Sequence, residues 1–151
     1  MSRHDDIFDI TYSHNLEKMF STITGRVDRL ITLIIILAGC SVFVSISGSM
    51  LFGGLIAALS VCQVVFQFSR ASGISEGQYR KYLSLISDES SLTDDELHSR
   101  LKSIQELDTN PWSILKKAAF KRACISLGLP DTTPGFSRSE KLMSWLAGDL
   151  P

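Results

Sequence analysis

The chain divides by the spacing of its apolar positions. Tyr12, Leu16, Met19, Phe20, Ile23 and Val27 recur every three or four residues, the period of one helix face. From Leu30 to Phe68 the stripe gives way to a continuous apolar run without a single charged residue. Stripes then return: Tyr79, Tyr82, Leu83 and Ile86, followed by Leu97, Leu101 and Ile104. Outside the apolar run no segment alternates with the period of two that strands require, so the chain reads as all-α.

A helix rises about 1.5 Å per residue and the hydrocarbon core of a bilayer is about 30 Å thick, so one crossing takes roughly 20 residues. The apolar run is too long for one crossing and too short for three. Ser47-Gly48-Ser49 is its most turn-like tripeptide, which predicts a hairpin of two spans, Val27–Ser47 and Met50–Ser69. Paired helices leave no backbone group exposed to lipid. The expected fold is an integral membrane helical hairpin with a small helical cytoplasmic domain. Residues 1–26 form an amphipathic N-terminal segment, 27–69 the hairpin and 70–151 the tail. A buried αα-hairpin inside a larger soluble complex is the competing reading. Arg26 and Arg29 precede the run, Arg70, Arg80 and Lys81 follow it, and the turn carries no charge. Positive flanks stay on the cytoplasmic side, which predicts a two-pass inner-membrane protein with both termini in the cytoplasm. The first 25 residues are polar, and no cleavable signal is apparent.

The polar and small residues of the run are the candidate functional positions. Ser60, Gln63 and Gln67 share one face of the second span, and Thr32, Ser41 and Ser45 lie in the first. Small residues recur four apart at Gly53/Ala57, Gly54/Ala58 and Ser41/Ser45. Small faces let helices approach closely, and amides bond across them. Hairpin or oligomer packing is one reading. A pore lined by Ser60, Gln63 and Gln67 is the other, and it needs several copies, because two helices cannot enclose water.

The cytoplasmic parts read as capped helices. Residues 1–9, with Asp5, Asp6 and Asp9, are expected to fray, and Gly25 is a weak point in the first helix. Gly73 and Gly77 are expected to interrupt the helix leaving the second span. Thr93-Asp94-Asp95-Glu96 is a capping box with acids at the favourable helix end. Asn110-Pro111 starts a helix with Pro in its first turn, ending near Leu127 before Gly128 and Pro130. Ser137-x-x-Glu140 caps a last short helix that stops at Gly148. The helix after Pro111 carries Lys116, Lys117, Lys121 and Arg122 without an acid, and its apolar residues occupy two sides. It therefore wants two partners, one of which could be a neighbouring subunit. Its basic cluster has three readings: a solvated face or mate for the acidic 93–108 helix, a contact with anionic headgroups, or a site for an anionic ligand such as a nucleotide.

Charge and composition narrow the chemistry. The 15 basic and 16 acidic residues nearly cancel, and the tail from Arg70 onward is balanced, which argues against direct nucleic-acid binding. Three cysteines, two of them in the apolar run, do not make a disulfide scaffold. No P-loop, GxSxG, HExxH or CxxC pattern is present. His4, His14 and His98 lack metal-ligand spacing, and His98 reads as an exposed histidine. No enzyme activity and no cofactor is expected. The expected partners are the lipid bilayer, further copies of the chain, and a soluble cytoplasmic partner or anionic ligand at the tail.

Phe66-Gln67-Phe68-Ser69-Arg70 leads into Gln78-Tyr79-Arg80-x-x-Leu83, a charged helix with a Tyr and a Leu leaving the second span. Together with the pre-membrane helix and tight hairpin, residues 12–87 resemble the SLATT-type proteins, two-transmembrane effector domains of bacterial conflict systems. That resemblance implies an oligomeric effector in anti-phage defence that opens or disrupts the inner membrane when a partner signals infection, with the tail as gate. Two other functions fit the same layout. One is a membrane-anchored adaptor that recruits a soluble partner through residues 111–151. The other is a holin-like phage lysis protein, against which the long capped tail argues.

Overall fold

In a computed structural model the described residues are 3–42 and 49–149, with side chains for 3–40 and 50–149. Every regular element among them is helical: α1 Arg3–Val42, α2 Ser49–Phe66, α3 Phe68–Asp88, α4 Asp94–Gln105, α5 Ser113–Ser126 and α6 Arg138–Leu146. The expected turn at Ser47-Gly48 lies outside the described residues, and Ser49 already begins α2.

α1 is the axis of the molecule. Its 40 residues extend about 60 Å, and α2, α3, α4, α5 and α6 all pack against it. α3 and α2 run antiparallel to α1, so partners ascend one helix as they descend the other: His14 with Tyr79, Ser21 with Ser72, Thr32 with Gln63. The apolar stripe of α1 builds two cores. Leu16, Met19, Phe20 and Ile23 pack with Leu115, Ala118 and Ala119 of α5 and with Ala147. Ile10 packs with Tyr82 and Leu85 of α3 and Leu97 and Leu101 of α4. α5 thus packs on α1 and α6 within the chain, with Phe120 and Ile125 left exposed.

Several local expectations change. The N-terminus is docked from Arg3 onward. Arg3 donates to the Leu92 and Glu89 carbonyls at 3.1 and 2.6 Å and pairs with Asp94 at 2.6 Å, while Asp6 and Ile10 are buried. Gly25 is no weak point: α1 passes through it unbroken, and a Cβ there would sit 2.9 Å from Ser72 Oγ. It is the place where α3 comes closest. Gly73 and Gly77 do not interrupt α3; the break falls at Gln67. The buried stripe of α3 is Ser75, Gln78, Tyr82 and Leu85, so Leu83 and Ile86 face outward. Pro111 precedes the Trp112 cap and lies outside α5. The Thr93 and Ser137 capping boxes form as expected, and Gly128 and Gly148 supply the left-handed residues after α5 and α6.

A polar seam joins α1 to α3. Ser21 Oγ donates to the Ser72 carbonyl at 3.0 Å, and Ser72 Oγ returns the bond to the Ser21 carbonyl at 2.8 Å. One turn earlier the buried Glu17 carboxylate accepts from Ser75 Oγ and from the Thr109 amide and hydroxyl, the last two at 3.0 and 2.9 Å. Beside it Asp108 accepts from Tyr82 Oη at 2.7 Å and Gln78 Nε2 at 2.9 Å. These two carboxylates tie the α4–α5 connection to the hairpin.

The two ends of the hairpin differ in what covers them. The helical run that starts at Met50 and continues past Gln67 to Ser91 is long and apolar enough to cross a membrane, and its apolar stretch is unburied. Met50 is 90% and Val64 74% exposed, whereas Leu97 and Leu115 are 0% exposed. α1 does not meet the same test: within its described part, Arg26, Asp28 and Arg29 are followed by apolar residues only as far as Val42. Its Leu30, Leu33, Ile36 and Leu37 are likewise exposed, while Val27 packs on the α1–α5 core.

Glu17→Ala strands the Thr109 amide and hydroxyl donors, while Ser75 Oγ keeps its bond to the residue-17 carbonyl at 2.8 Å, and is expected to cost about 1–3 kcal/mol in thermal unfolding; Glu17→Gln keeps one acceptor and costs less. Burial raises the Glu17 carboxyl above the ordinary carboxylate range, and the hydrogen bonds only partly oppose this. Its contribution is therefore complete below that range and is lost as pH rises through the folded value. The stability advantage of the native chain over Glu17→Gln should shrink as pH rises above the ordinary carboxylate range; an advantage that grows with pH would contradict the assignment.

Candidate functional site

The apolar end of the hairpin holds most of the candidate residues, and the geometry sorts them into three groups. Phe52, Ile56, Leu59, Ser60 and Gln63 are the half-buried positions that recur along α2, and α1 is the helix packed on it. Gln63 Nε2 donates to Thr32 Oγ1 at 2.8 Å. This amide–hydroxyl bond links the two apolar helices where few other polar groups exist. Ser60 lies nearly one turn away on the same half-buried side. Gly53, Gly54, Ala57 and Ala58 form the second group. All four are exposed, and a Cβ on either glycine would meet nothing within 4 Å. The small face therefore turns away from α1. Ser41 lies near the described end of α1 without a described side chain, and Ser45 lies outside the described residues.

Gln67 stands apart from Ser60 and Gln63. It is the left-handed residue between α2 and α3, with φ 46° and ψ 45°. A non-glycine residue held there stores about 1–2 kcal/mol of strain. The hydrogen-bond ladder bridges the break: the Gln67 amide donates to the Gln63 carbonyl at 2.9 Å, and the Ala71 amide donates to the Gln67 carbonyl at 3.0 Å. Its side-chain oxygen accepts from Arg70 at 3.2 Å. Phe66 and Phe68 stack across the break with centroids 5.4 Å apart. The deviation sits at the border between the uncharged run and Arg70, the first charge after it.

The tail's basic cluster is mostly neutralised by its own chain. Lys117 binds Glu140 at 3.1 Å and the Gly135 carbonyl at 2.7 Å. Lys121 lies 3.6 Å from Asp131. Arg122 grips Asp149 with two hydrogen bonds of 2.6 and 2.5 Å. Lys117 and Lys121 also sit over the Phe136 ring, 5.0 and 5.5 Å from its centroid. The mates of this helix are thus the loop before α6 and α6 itself, not the acidic 93–108 helix. Lys116 alone of the four stays exposed, beside the cleft that contains Glu17 and Asp108.

Three features escaped sequence reading. Glu17 lies on the buried stripe between Leu16 and Met19, a placement that flags a satisfied carboxylate. His98 is exposed, as expected, and its Nδ1 lies 3.1 Å from the buried Asp6 carboxylate, a contact the spacing did not suggest. Arg26 donates to the Leu146 carbonyl at 2.7 Å, where a cation suits the C-terminal end of α6. Burial holds His14 below the usual imidazole range, with its bond to the Tyr79 carbonyl opposing. Cys124 is buried in α5. Among the described residues no three His, Cys, Asp or Glu side chains are placed to hold a metal ion.

Comparison with protein-family models, curated proteins and solved structures finds no match for this chain. The functional argument therefore rests on the geometry.

Glycine removes the strain at position 67 while a β-branched residue increases it. Gln67→Gly is expected to raise the thermal midpoint and Gln67→Val to lower it, each by the equivalent of about 1 kcal/mol. Equal midpoints for the two variants would contradict a left-handed residue here.

Proposed function

We propose that this chain is a two-span inner-membrane protein whose copies assemble into an oligomer with a gated polar path. The observation that carries this reading is the bare apolar end of the hairpin. Leu30, Leu33, Ile36 and Leu37 on α1 and Leu51, Val61, Val64 and Val65 on α2 stay exposed, although every other part of α1 builds a packed core. Exposed apolar surface on this scale marks a membrane or a partner. α1 and α2 lie side by side, so where α2 crosses, α1 crosses with it. Arg26, Arg29 and Arg70 then sit at the cytoplasmic border, with both termini inside.

Assembly uses the surface that α1 leaves open. Gly53, Gly54, Ala57 and Ala58 permit close approach by a neighbouring α2. Gating uses the difference between the two spans. α1 is a single rigid helix from the cytoplasmic body into the bilayer, whereas α2 joins α3 through one strained residue. A shift of the body turns α2 about Gln67, breaks the Gln63–Thr32 bond and turns the Gln63 amide, with Ser60, toward the lumen of the assembly. The SLATT-type resemblance points the same way, to a membrane effector released by an infection signal.

The adaptor reading has one observation in its favour. α5 has its buried sides taken by α1 and α6, but Leu142 and Trp145 of α6 are 56% and 60% exposed and would be the recruiting surface.

The first measurement is the mass of the detergent-solubilised particle by native mass spectrometry, followed by conductance in planar bilayers. A closed oligomer of at least about four copies is expected, because each chain brings only two spans. Gln63→Leu with Gln67→Leu should abolish conductance and leave the mass unchanged. A monomer or dimer, or full conductance in the double variant, would overturn the pore and leave the adaptor.

A further inference from the structure

Three cations at the cytoplasmic border have no carboxylate partner among the described residues. Lys18, Arg26 and Arg29 are exposed on α1, and no ion pair neutralises them, in contrast to Lys117, Lys121 and Arg122. With Thr22 between them, they line a cleft of about 350 Å³ whose other wall is Ser72 and Tyr79 of α3. The one acid on that wall, Glu76, is engaged by Arg80 at 2.6 Å.

The spacing continues the same face into the apolar run. Lys18, Thr22, Arg26 and Arg29 are followed at three- and four-residue steps by Leu30, Leu33 and Leu37, which share one side of α1. Those leucines are 57%, 52% and 61% exposed. A basic cleft thus opens directly onto an uncovered apolar stripe, on one rigid helix.

We propose that this cleft seats the phosphate headgroup of an anionic glycerophospholipid, with its acyl chain along Leu30, Leu33 and Leu37. The site rests on the two-span reading, since only that reading places Leu30 at the hydrocarbon border. Lys18 and Arg29 supply the attraction to the phosphate. Arg26, already held on the α6 carbonyls, ties the occupied cleft to the cytoplasmic body. The lipid thereby braces the α1–α3 junction next to the hinge at Gln67.

The test uses the full chain, purified in detergent from membranes and titrated with phosphatidylglycerol or phosphatidylcholine in native mass spectrometry. Phosphatidylglycerol should be retained in preference to phosphatidylcholine. A basic residue near a membrane surface contributes about fivefold to anionic-lipid affinity, so Lys18→Gln with Arg29→Gln, of which Arg29 lies beside the border, should weaken phosphatidylglycerol retention by at least about fivefold. Neither side chain has a hydrogen-bond or ion-pair partner among the described residues, so the melting profile should not change. Arg138→Gln with Lys141→Gln removes the same charge elsewhere and should leave retention intact. Equal retention of both lipids, an unchanged Lys18/Arg29 variant, or an equal loss in the Arg138/Lys141 variant would overturn the site. Competition by inorganic phosphate alone would show a free-anion site and overturn the lipid assignment. Carbonate extraction separates the two levels: a chain released from membranes overturns the two-span reading and this site together. A retained chain without lipid preference overturns the site alone.

Discussion

The antiparallel contact of α1 with α3 is the constraint on which the rest of the structure depends. It is made of small and polar groups rather than large apolar ones. Gly25 and Ser72 allow the backbones to approach, the Ser21–Ser72 exchange fixes their register, and Glu17 locks Ser75 to Thr109. A side chain at position 25 would meet the Ser72 hydroxyl at 2.9 Å and displace it from its bond to the Ser21 carbonyl. The Thr32–Gln63 bond continues the same register into the apolar end. The seam therefore sets both the packed helical body and the polar contact between the apolar helices.

One helix pair thus serves two environments. At the packed end the stripe of α1 is shared between α3, α4 and α5, and large apolar side chains such as Leu97 and Leu115 lose all contact with solvent. Beyond Leu30 the described helix on α1 is α2, joined by the Thr32–Gln63 bond, and Leu33, Ile36 and Leu37 stay exposed. Charge follows the same division. Around α5 the tail pairs its own charges, as Arg122 does with Asp149, while Lys18, Arg26 and Arg29 line one face of α1 without an ion pair among the described residues. The strained Gln67 lies near that border on the opposing helix. α1 runs unbroken past this border, whereas α2 and α3 meet at a single left-handed residue.

Much of the helical content was legible because it depends on local chemistry. The Thr93 and Ser137 boxes, the stop at Gly128 and the stripe from Leu16 to Ile23 each follow from residues within a few positions of one another. What could not be read involved partners far apart along the chain. Asp5, Asp6 and Asp9 look like a solvated terminus until Arg3 reaches Asp94 and Asp6 reaches His98. Lys117, Lys121 and Arg122 look like an open basic face until the loop and α6 fold back over them. Gly73 and Gly77 look like breakers, yet α3 packs along α1 and holds them helical, so the break falls on a glutamine that no propensity scale would choose. Of the candidate site, the presence of Ser60 and Gln63 on one face was readable from spacing. That this face meets α1, and that the glycine face does not, depends on the register of the seam.

The most direct test of the proposed hairpin is sidedness. Single cysteines at positions 4, 47 and 126, in a chain with Cys40, Cys62 and Cys124 replaced by serine, would be labelled with a membrane-impermeant maleimide in intact and permeabilised cells. Two crossings predict that only position 47 reacts in intact cells, while positions 4 and 126 react after permeabilisation. Labelling of positions 4 and 47 together from outside would mean a single crossing by α2. No labelling at position 47 until permeabilisation would mean that the bare apolar surface meets another protein instead of a bilayer.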